Sequence, residues 1–405
     1  MAADMTKTPA AQAASLADGC ADVVSLDELE ARIARKGRLT IKFGVDPSGS
    51  ELHLGHAVVL HKMREFQDFG HRVILLIGDF TALIGDPTGR NEQRKPISRE
   101  QIEANMRTYR EQAGRVLDLE RLEIMYNSSW LRPLGFDELL RLTSQVTVAR
   151  MLERNDFAKR YAAGLPISLH ELLYPVAQAY DSVAMEADVE LGGTEQLFNF
   201  MLARAFQEHA DQPPQICMTS PILEGLDGER RMGKSLGNYV SLVEPAEQQF
   251  GKLMSLPDAM IPRYARLAAF RSQAACRELG ALLAAGTAEP MAAKKELAED
   301  IVALYHGRED ARAAREYFER TVQRREAPAE MPEFRLTTVP RRLVDVLVSA
   351  GLAQSKREAE RLVAGGGVRL NGEQIGEASA LWQAREPVVL SVGSRRFVKV
   401  LPVLP

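Results

Sequence analysis

The 405-residue chain has only three cysteines, Cys20, Cys217 and Cys276, and neither a CxxC pair nor a Cys/His cluster. So few and so scattered, they support neither a disulfide framework nor a zinc site, and they read as buried, inert thiols. Nor does the chain contain the run of about 20 uncharged apolar residues needed to span a bilayer. Its first twenty residues are rich in Ala and Thr but carry Asp4, Asp18 and a single cation, Lys7. That fits neither a secretory signal nor an Arg-rich transit peptide, so a cytoplasmic location is expected. A strong charge of one sign is also missing: the net charge is −4, which argues against a globally basic nucleic-acid binder. What is present is 45% apolar and 26% charged residues, ordinary for a folded chain with two or three domains. The charge total hides an asymmetry, because residues 341–405 hold ten Lys and Arg against six Asp and Glu. The tail is a basic unit on an acidic body.

A helical pattern over 21–37 (Leu26, Leu29, Ile33) precedes the apolar run Leu39, Ile41, Phe43, Val45, read as a strand over 39–45. The turn Pro47–His56, PSGSELHLGH, joins that strand to a helix near 54–69, and the run Val73–Ile77 ends in Gly78. Such a βαβ unit implies a right-handed crossover, a parallel sheet in an α/β fold, and a ligand at the strands' carboxyl ends. Pro47–His56 lies at such an end. Free backbone N–H groups and the positive end of a helix favour phosphate there, His53 and His56 add donors, and Gly55 admits close approach. The bland alternative is that the histidines cap the helix.

The loop after the second strand, Thr81–Arg90, is turn-rich. Asp86 either bonds local backbone or accepts a ligand ammonium, with Arg90 near a phosphate. Ser98 and Gln101 stand at capping-box spacing before a helix over 98–117. A short strand over 122–126 precedes a helical stretch, polar outside, over 136–162. Ser168 and Glu171 form a second capping box, opening a helix on which Tyr174, Gln178 and Asp181 share one face. Leu, Tyr, Val and Ala surround this triad, and partly buried polar groups are costly unless something, such as a polar ligand, fills their hydrogen bonds. A strand over 188–191 meets a helix over 197–209 at Gly192-Gly193-Thr194-Glu195-Gln196, either a plain βα turn or another ligand loop. A strand over 216–219 leads to the loop Glu229–Asn238, where Arg231 and Lys234 among glycines suit a mobile phosphate clamp, a solvated charge run being the alternative. Residues 245–323 are helical, and 324–339 hold prolines and charge in a linker pattern. Two short helices over 341–350 and 355–364, a hairpin turn at Asn371-Gly372 and strands near 387–391 and 396–401 complete the chain.

In this order the motifs resemble those of one family, the bacterial tyrosyl-tRNA synthetases of class I, in the shorter branch that ends in a small RNA-binding module. His53-Leu54-Gly55-His56 is similar to the family's HIGH motif, and Arg231-Met232-Gly233-Lys234-Ser235 to its KMSKS motif. The helix bearing Tyr174, Gln178 and Asp181 looks like the tyrosine-binding helix, and Gly192–Gln196 like the second ligand loop. The resemblance runs from about residue 20 to the end. It implies an N-terminal extension and helix (1–37), a Rossmann-like catalytic domain (38–240), an α-helical anticodon-binding domain (241–325), a linker (326–340) and an α+β RNA-binding module (341–405). The implied reaction joins L-tyrosine to ATP, accompanied by Mg2+, giving tyrosyl-AMP and pyrophosphate, then moves tyrosine to the 3′-terminal ribose of tRNA(Tyr). The implied protein is a cytoplasmic homodimer without membrane attachment or structural metal.

By the same resemblance, His53 and His56 contact phosphate in the transition state, while Arg231 and Lys234 clamp pyrophosphate. Asp46, Pro47, Gly55, Gly193, Glu195, Met232 and Ser235 surround ATP, with Asp46 and the Glu195 loop near the amino group or the ribose, and Arg90 near a phosphate. Asp86, Tyr174 and Gln178 hold the ammonium with Thr81 close by, Asp181 takes the phenol, and Gln196 takes the carboxylate. The chemistry agrees, because a substrate carboxylate is already a nucleophile. Activation needs in-line alignment and neutralisation of the leaving pyrophosphate, not a general base. Four positions depart from the family pattern: Lys42 stands where a longer branch has a tyrosine at the phenol, Glu195 replaces the commoner Asp, Arg231 a lysine and Gly233 a serine. Rival readings are a tryptophanyl enzyme, an HxGH adenylyltransferase, which leaves 341–405 without purpose, and an RNA-binding splicing or regulatory factor derived from the synthetase. Retention of His56 and Lys234 disfavours the last.

Overall fold

The computed structural model describes residues 7–47, 49–85, 98–106, 108–323, 331–336, 341–377, 379, 381–382, 386–393 and 396–401. The chain divides into two compact units, one formed by Met1–Pro245 and Lys252–Tyr305, the other by Ala246–Gly251 and His306–Pro405. The helical stretch is thus shared between them.

The first unit is built on a six-stranded sheet. Its strands are β1 (Asp22–Val24), β2 (Thr40–Val45), β3 (Arg72–Ile77), β4 (Leu122–Tyr126), β5 (Val189–Gly193) and β6 (Ile216–Ser220), in spatial order β1-β6-β5-β2-β3-β4. Strands β2 to β6 run parallel, as the βαβ reading expects, while β1 is an antiparallel edge on β6. Burial on both faces explains why β3 reads Val-Ile-Leu-Leu-Ile without alternation, and all five of those residues are buried. Chain order reverses at β2, between β5 and β3, so β2's carboxyl end opens into the crevice where ligands bind in such sheets.

Three expectations are corrected here. The helix expected over 21–37 begins only at Leu26, because Asp22-Val23-Val24 pairs with Thr219, Met218 and Cys217 and the Ser25 hydroxyl accepts the Glu28 N–H as N-cap. Three residues are too few to show a period, so the edge strand had no signal. The helix expected over 98–117 is two helices, Arg99–Met106 and Tyr109–Ala113, although Ser98 does accept the Gln101 N–H. The stretch over 136–162 is three short helices, Phe136–Thr143, Val148–Met151 and Asn155–Ala162, with Thr147 starting a new N-terminus by accepting the Arg150 N–H. The capping box at Ser168 and Glu171 forms as read and opens the helix Leu169–Ala184.

The divided 98–117 stretch explains how the Pro47–His56 turn is held. Asn105 Nδ2 donates to the Pro47 carbonyl at 2.8 Å, the Tyr109 hydroxyl to Gly49 at 2.6 Å, and the Thr108 hydroxyl to Ser50 at 3.0 Å. Gln112 does two jobs, accepting the Leu52 N–H at 2.6 Å and donating to the Ser50 carbonyl at 2.7 Å. From the other side, Leu54 N–H donates to Val240 and Leu242 N–H to Leu52, an antiparallel bridge centred on His53 and Ser241. Irregular backbone so thoroughly paired behaves as part of the scaffold.

In the second unit a five-stranded sheet has the order Glu373–Gln374, Val368–Leu370, Val388–Val392, Arg396–Leu401, Glu333–Arg335. Part of the expected linker is therefore sheet, since Glu333–Arg335 pairs in parallel with Lys399–Leu401. The helices Leu343–Ser349 and Lys356–Ala364 share one core with this sheet, including Val346, Leu347, Ala359, Val368 and Leu390. Asn371 and Gly372, at φ 49° and 88°, make the tight hairpin that the pair suggests. Cys217 and Cys276 are buried, Cys20 is partly exposed, and all three are free thiols. No helix among the described residues is long and apolar enough to cross a membrane.

Gln112→Ala leaves the buried Leu52 N–H without a partner and the Ser50 carbonyl with the Thr108 hydroxyl alone. It should lower unfolding free energy by about 1–3 kcal/mol in urea titrations while far-UV circular dichroism stays native.

Candidate active site

The two histidines do cap the helix Leu54–Asp68, and they are set up to do more. His53 Nδ1 accepts the Gly55 N–H and His56 Nδ1 accepts the His53 N–H, each at 3.2 Å, closing a capping box with the ring centroids 3.9 Å apart. Burial, then the nearby His56, Lys234 and Arg231, push His53 well below the ordinary imidazole value. Burial and then Lys234 bring His56 down to about 4. Both rings are therefore neutral near pH 7. With each Nδ1 accepting, the hydrogen-bond pattern assigns the proton to Nε2, leaving two neutral N–H donors beside the helix N-terminus.

Along the carboxyl ends of β2, β3 and β4 runs a continuous chain of hydrogen bonds. The Tyr174 hydroxyl donates to Asp46 Oδ2 at 3.0 Å and the Thr81 hydroxyl to Asp46 Oδ1 at 2.8 Å. Asn127 Nδ2 reaches Thr81 Oγ1 at 3.0 Å and Asp181 Oδ2 at 3.2 Å, and Trp130 Nε1 donates to Asp181 Oδ1 at 2.7 Å. Gly78 makes room for it, because a Cβ there would lie 2.1 Å from Asp46 Oδ1 and 2.4 Å from Thr81 Oγ1. Tyr174, Gln178 and Asp181 are all buried on the helix Leu169–Ala184. Gln178 accepts from Asn199 at 2.7 Å and donates to Glu190 at 3.1 Å, so one amide hydrogen and one lone pair are left over. Gln196, in a short 3₁₀ turn after β5, accepts the Gly193 N–H at 3.0 Å, which leaves its amide nitrogen to donate; the neighbouring Glu195 is exposed.

The third component is the loop after β6. Asn238 closes it, accepting the Gly233 N–H at 2.9 Å and donating to Asp227 at 3.0 Å. Burial opposes ionisation of Asp227, but donors from Asn238 and the Glu229 and Arg230 N–H groups outweigh it and hold the carboxyl at about 2. Lys234 opens a 3₁₀ turn and lies over the Pro47–His56 turn, where a Cβ on Gly49 would meet its Nζ at 2.6 Å. Burial lowers its ammonium from the ordinary lysine value, with Glu51 opposing. Met232 is buried beside Gly55, while Arg231 and Ser235 are exposed. Asp86 and Arg90 lie outside the described residues.

The tRNA synthetases of class I (W and Y) match residues 34–323 of this chain. Tyrosine–tRNA ligase from Thermotoga maritima is 48% identical over 97% of this chain and 98% of its own length, and that from Aquifex aeolicus 42% identical over 97% and 99%. The chain belongs to the tyrosine–tRNA ligase family. Its S4 domain matches residues 341–380, which places the family's RNA-binding module on the five-stranded sheet unit. The tyrosyl-tRNA synthetase of Aeropyrum pernix shares the fold, with a TM-score of 0.63 at 21% identity over 77% of this chain and 99% of that one. The Archaeoglobus fulgidus enzyme, solved with L-tyrosine, gives 0.62 at 24% over 77% and 100%.

Sequence reading of this family member missed Asn127 and Trp130, which no motif marks, and the carbonyl-binding row Asn105, Thr108, Tyr109 and Gln112. The departure at Lys42 has a structural answer. Its ammonium is fully buried, donates to Ser182 Oγ at 2.7 Å and pairs with Glu190 at 3.0 Å.

Burial raises the Asp181 carboxyl to about 7, although Lys42, Trp130 and Asn127 act to lower it. Between the ordinary carboxyl range and pH 7 the unfolded chain therefore binds fewer protons than the native one, and stability falls as pH rises across that window. Asp181→Asn removes this loss. Its melting temperature relative to the wild type should increase steadily from about pH 4 to about pH 8 in differential scanning calorimetry.

Proposed function

We propose that this chain activates L-tyrosine with ATP and transfers it to the 3′-terminal ribose of tRNA(Tyr), with the described groups dividing the work. The observation that carries this reading is the junction of three elements at the sheet's carboxyl edge: neutral N–H donors at His53 and His56, the Lys234 ammonium over Gly49, and the polar chain ending at Asp181.

Tyrosine lies along that chain. Its ammonium is held by lone pairs of Tyr174 and Gln178, with Asp46 and Thr81 behind and Asp86 contributing from the adjoining loop. Asp181 accepts the phenol hydrogen on lone pairs that Trp130 and Asn127 leave open, and the Gln196 amide steadies the carboxylate. ATP occupies the Pro47–His56 turn, with Gly55, Gly193, Glu195 and Met232 around it and Arg90 and Ser235 toward the phosphates. Attack of the tyrosine carboxylate on the α-phosphate forms the acyl phosphate bond and breaks the bond to pyrophosphate. His53 and His56 Nε2–H donate to the oxygens that gain charge, and Lys234 with Arg231 neutralises the departing pyrophosphate. A phosphate anion also relieves the cost of burying Lys234, so the clamp and its ligand stabilise each other. Mg2+ enters as part of the nucleotide substrate; no group of three or more His, Cys, Asp or Glu among the described residues is placed to hold one.

The helical stretch and the S4 module bind tRNA(Tyr) in this reading, and the enzyme works in the cytoplasm as a homodimer. Self-association is supported by exposed apolar side chains concentrated over one stretch of sequence, among them Phe136, Val148, Tyr161 and Leu169. Nothing favours the alternative of a non-catalytic RNA-binding factor.

Pyrophosphate exchange into ATP should depend on tyrosine and on no other amino acid; exchange with a different one would overturn the specificity. Lys234→Ala should lower the activation rate constant at least about 100-fold while tyrosine affinity changes only a few-fold, and His56→Ala should slow activation more than it weakens ATP binding. Pre-steady-state fluorescence or quench-flow separates the two effects, and parallel losses would contradict the assigned roles.

A further inference from the structure

Behind the amino-acid pocket lies a deeply buried charged pair. Lys42, on β2, and Glu190, on β5, are 0% and 1% exposed, 3.0 Å apart. Each Lys42 donor has a partner: Glu190 Oε1, Ser182 Oγ at 2.7 Å and the Gln178 carbonyl at 3.4 Å. Glu190 is equally filled, since Oε1 takes Lys42 and the Gln178 amide while Oε2 takes the Ser182 hydroxyl at 3.1 Å and the Gln215 amide. A fully satisfied buried ion pair is weak evidence for stability, because well-packed apolar residues often serve a core as well or better. The partners of this one are specific. Lys42 grips the backbone and Glu190 the side chain of Gln178, and both touch Ser182, the residue next to Asp181.

We propose that Lys42 and Glu190 are positioning residues for tyrosine, a buried dipole that orients the Gln178 amide toward the ammonium and sets the electrostatic environment of Asp181 at the phenol. The inference rests on the tyrosine-binding reading above. The ion pair meets the substrate nowhere. It acts through two groups that face opposite polar ends of the ligand, so one interaction governs both the distance and the charge balance between those ends. The groups facing Asp181 are Lys42 from β2, Glu190 from β5, and the neutral donors Asn127 and Trp130 beyond β4. Lys42 favours the carboxylate and Glu190 opposes it, Lys42 having the larger effect.

Two variants of the full chain separate these influences: Glu190→Gln, which leaves the cation facing Asp181 alone, and the neutral double variant Lys42→Met with Glu190→Gln. The measurement is the pH profile of kcat/KM for tyrosine in pyrophosphate exchange, with kcat/KM for ATP at saturating tyrosine as the control and calorimetric melting as the check on folding. The acidic limb for tyrosine should move to lower pH in Glu190→Gln and to higher pH in the double variant. Each displacement should be about half a pH unit or more, equivalent to about threefold in kcat/KM on the limb, with the ATP profile unmoved. A limb that stays in place, or moves the same way in both variants, overturns the proposal. Should the double variant fail to fold, the direction seen in Glu190→Gln decides. Absence of tyrosine-dependent exchange in the wild type instead overturns the parent reading.

Discussion

The catalytic unit depends on one carboxylate, Asp46. It stands at the end of β2, where chain order in the sheet reverses, and it takes hydroxyl donors from two other elements, Thr81 after β3 and Tyr174 on the helix Leu169–Ala184. These bonds tie the helix to the sheet on the side where the crevice opens. They also fix Thr81 so that Asn127 can use its oxygen and reach on to Asp181. A carboxylate accepting two hydroxyls is an ordinary feature by itself. Here it helps to set the separation between the two ends of the hydrogen-bond chain, because each link from Tyr174 through Asp46, Thr81 and Asn127 to Asp181 is a direct hydrogen bond. Gly78 shows how tightly this is built, since one added methyl would fall on both acceptor and donor.

Electrostatics divides the crevice into two halves with different logic. At the Pro47–His56 turn, burial and a neighbouring ammonium keep the imidazoles neutral, while the Lys234 ammonium lies over Gly49. Neutral donors aimed at a region of developing negative charge stabilise the transition state without binding a resting anion too tightly. Around Gln178 and Asp181 the charges are internal. Glu190 accepts from a lysine, a hydroxyl and two amides, and Asp181 sits near neutrality by virtue of burial. A carboxyl so placed is costly to ionise in the empty enzyme, which is the usual signature of a group kept for a ligand and not for the fold.

Much of this was legible in the residues. The βαβ pattern and the glycine-bearing turns marked the carboxyl edge of a parallel sheet, and the spacing of Tyr174, Gln178 and Asp181 marked a shared face that proves to be buried. What escaped had no local signature. Asn127 and Trp130 act only because β4 lies beside β3 and brings their short helix over Asp181. The row Asn105, Thr108, Tyr109 and Gln112 reads as an ordinary polar helix face until the carbonyls of the Pro47–His56 turn are laid against it. Lys42 was visible as a departure from the family pattern, but its partner Glu190 lies 148 residues downstream on another strand, and register alone pairs them. The edge strand β1 and the strand Glu333–Arg335 are three residues each, below the length at which periodicity carries information.

The antiparallel stitch between Leu52–Leu54 and Val240–Leu242 has a mechanical meaning. It anchors the trailing end of the cationic loop, a few residues beyond Lys234, to the same turn that carries His53 and His56. Lys234 is therefore tied to that turn as a latch is to its door frame. Its reach is set by the short tether from Lys234 to Val240, which keeps its ammonium over Gly49.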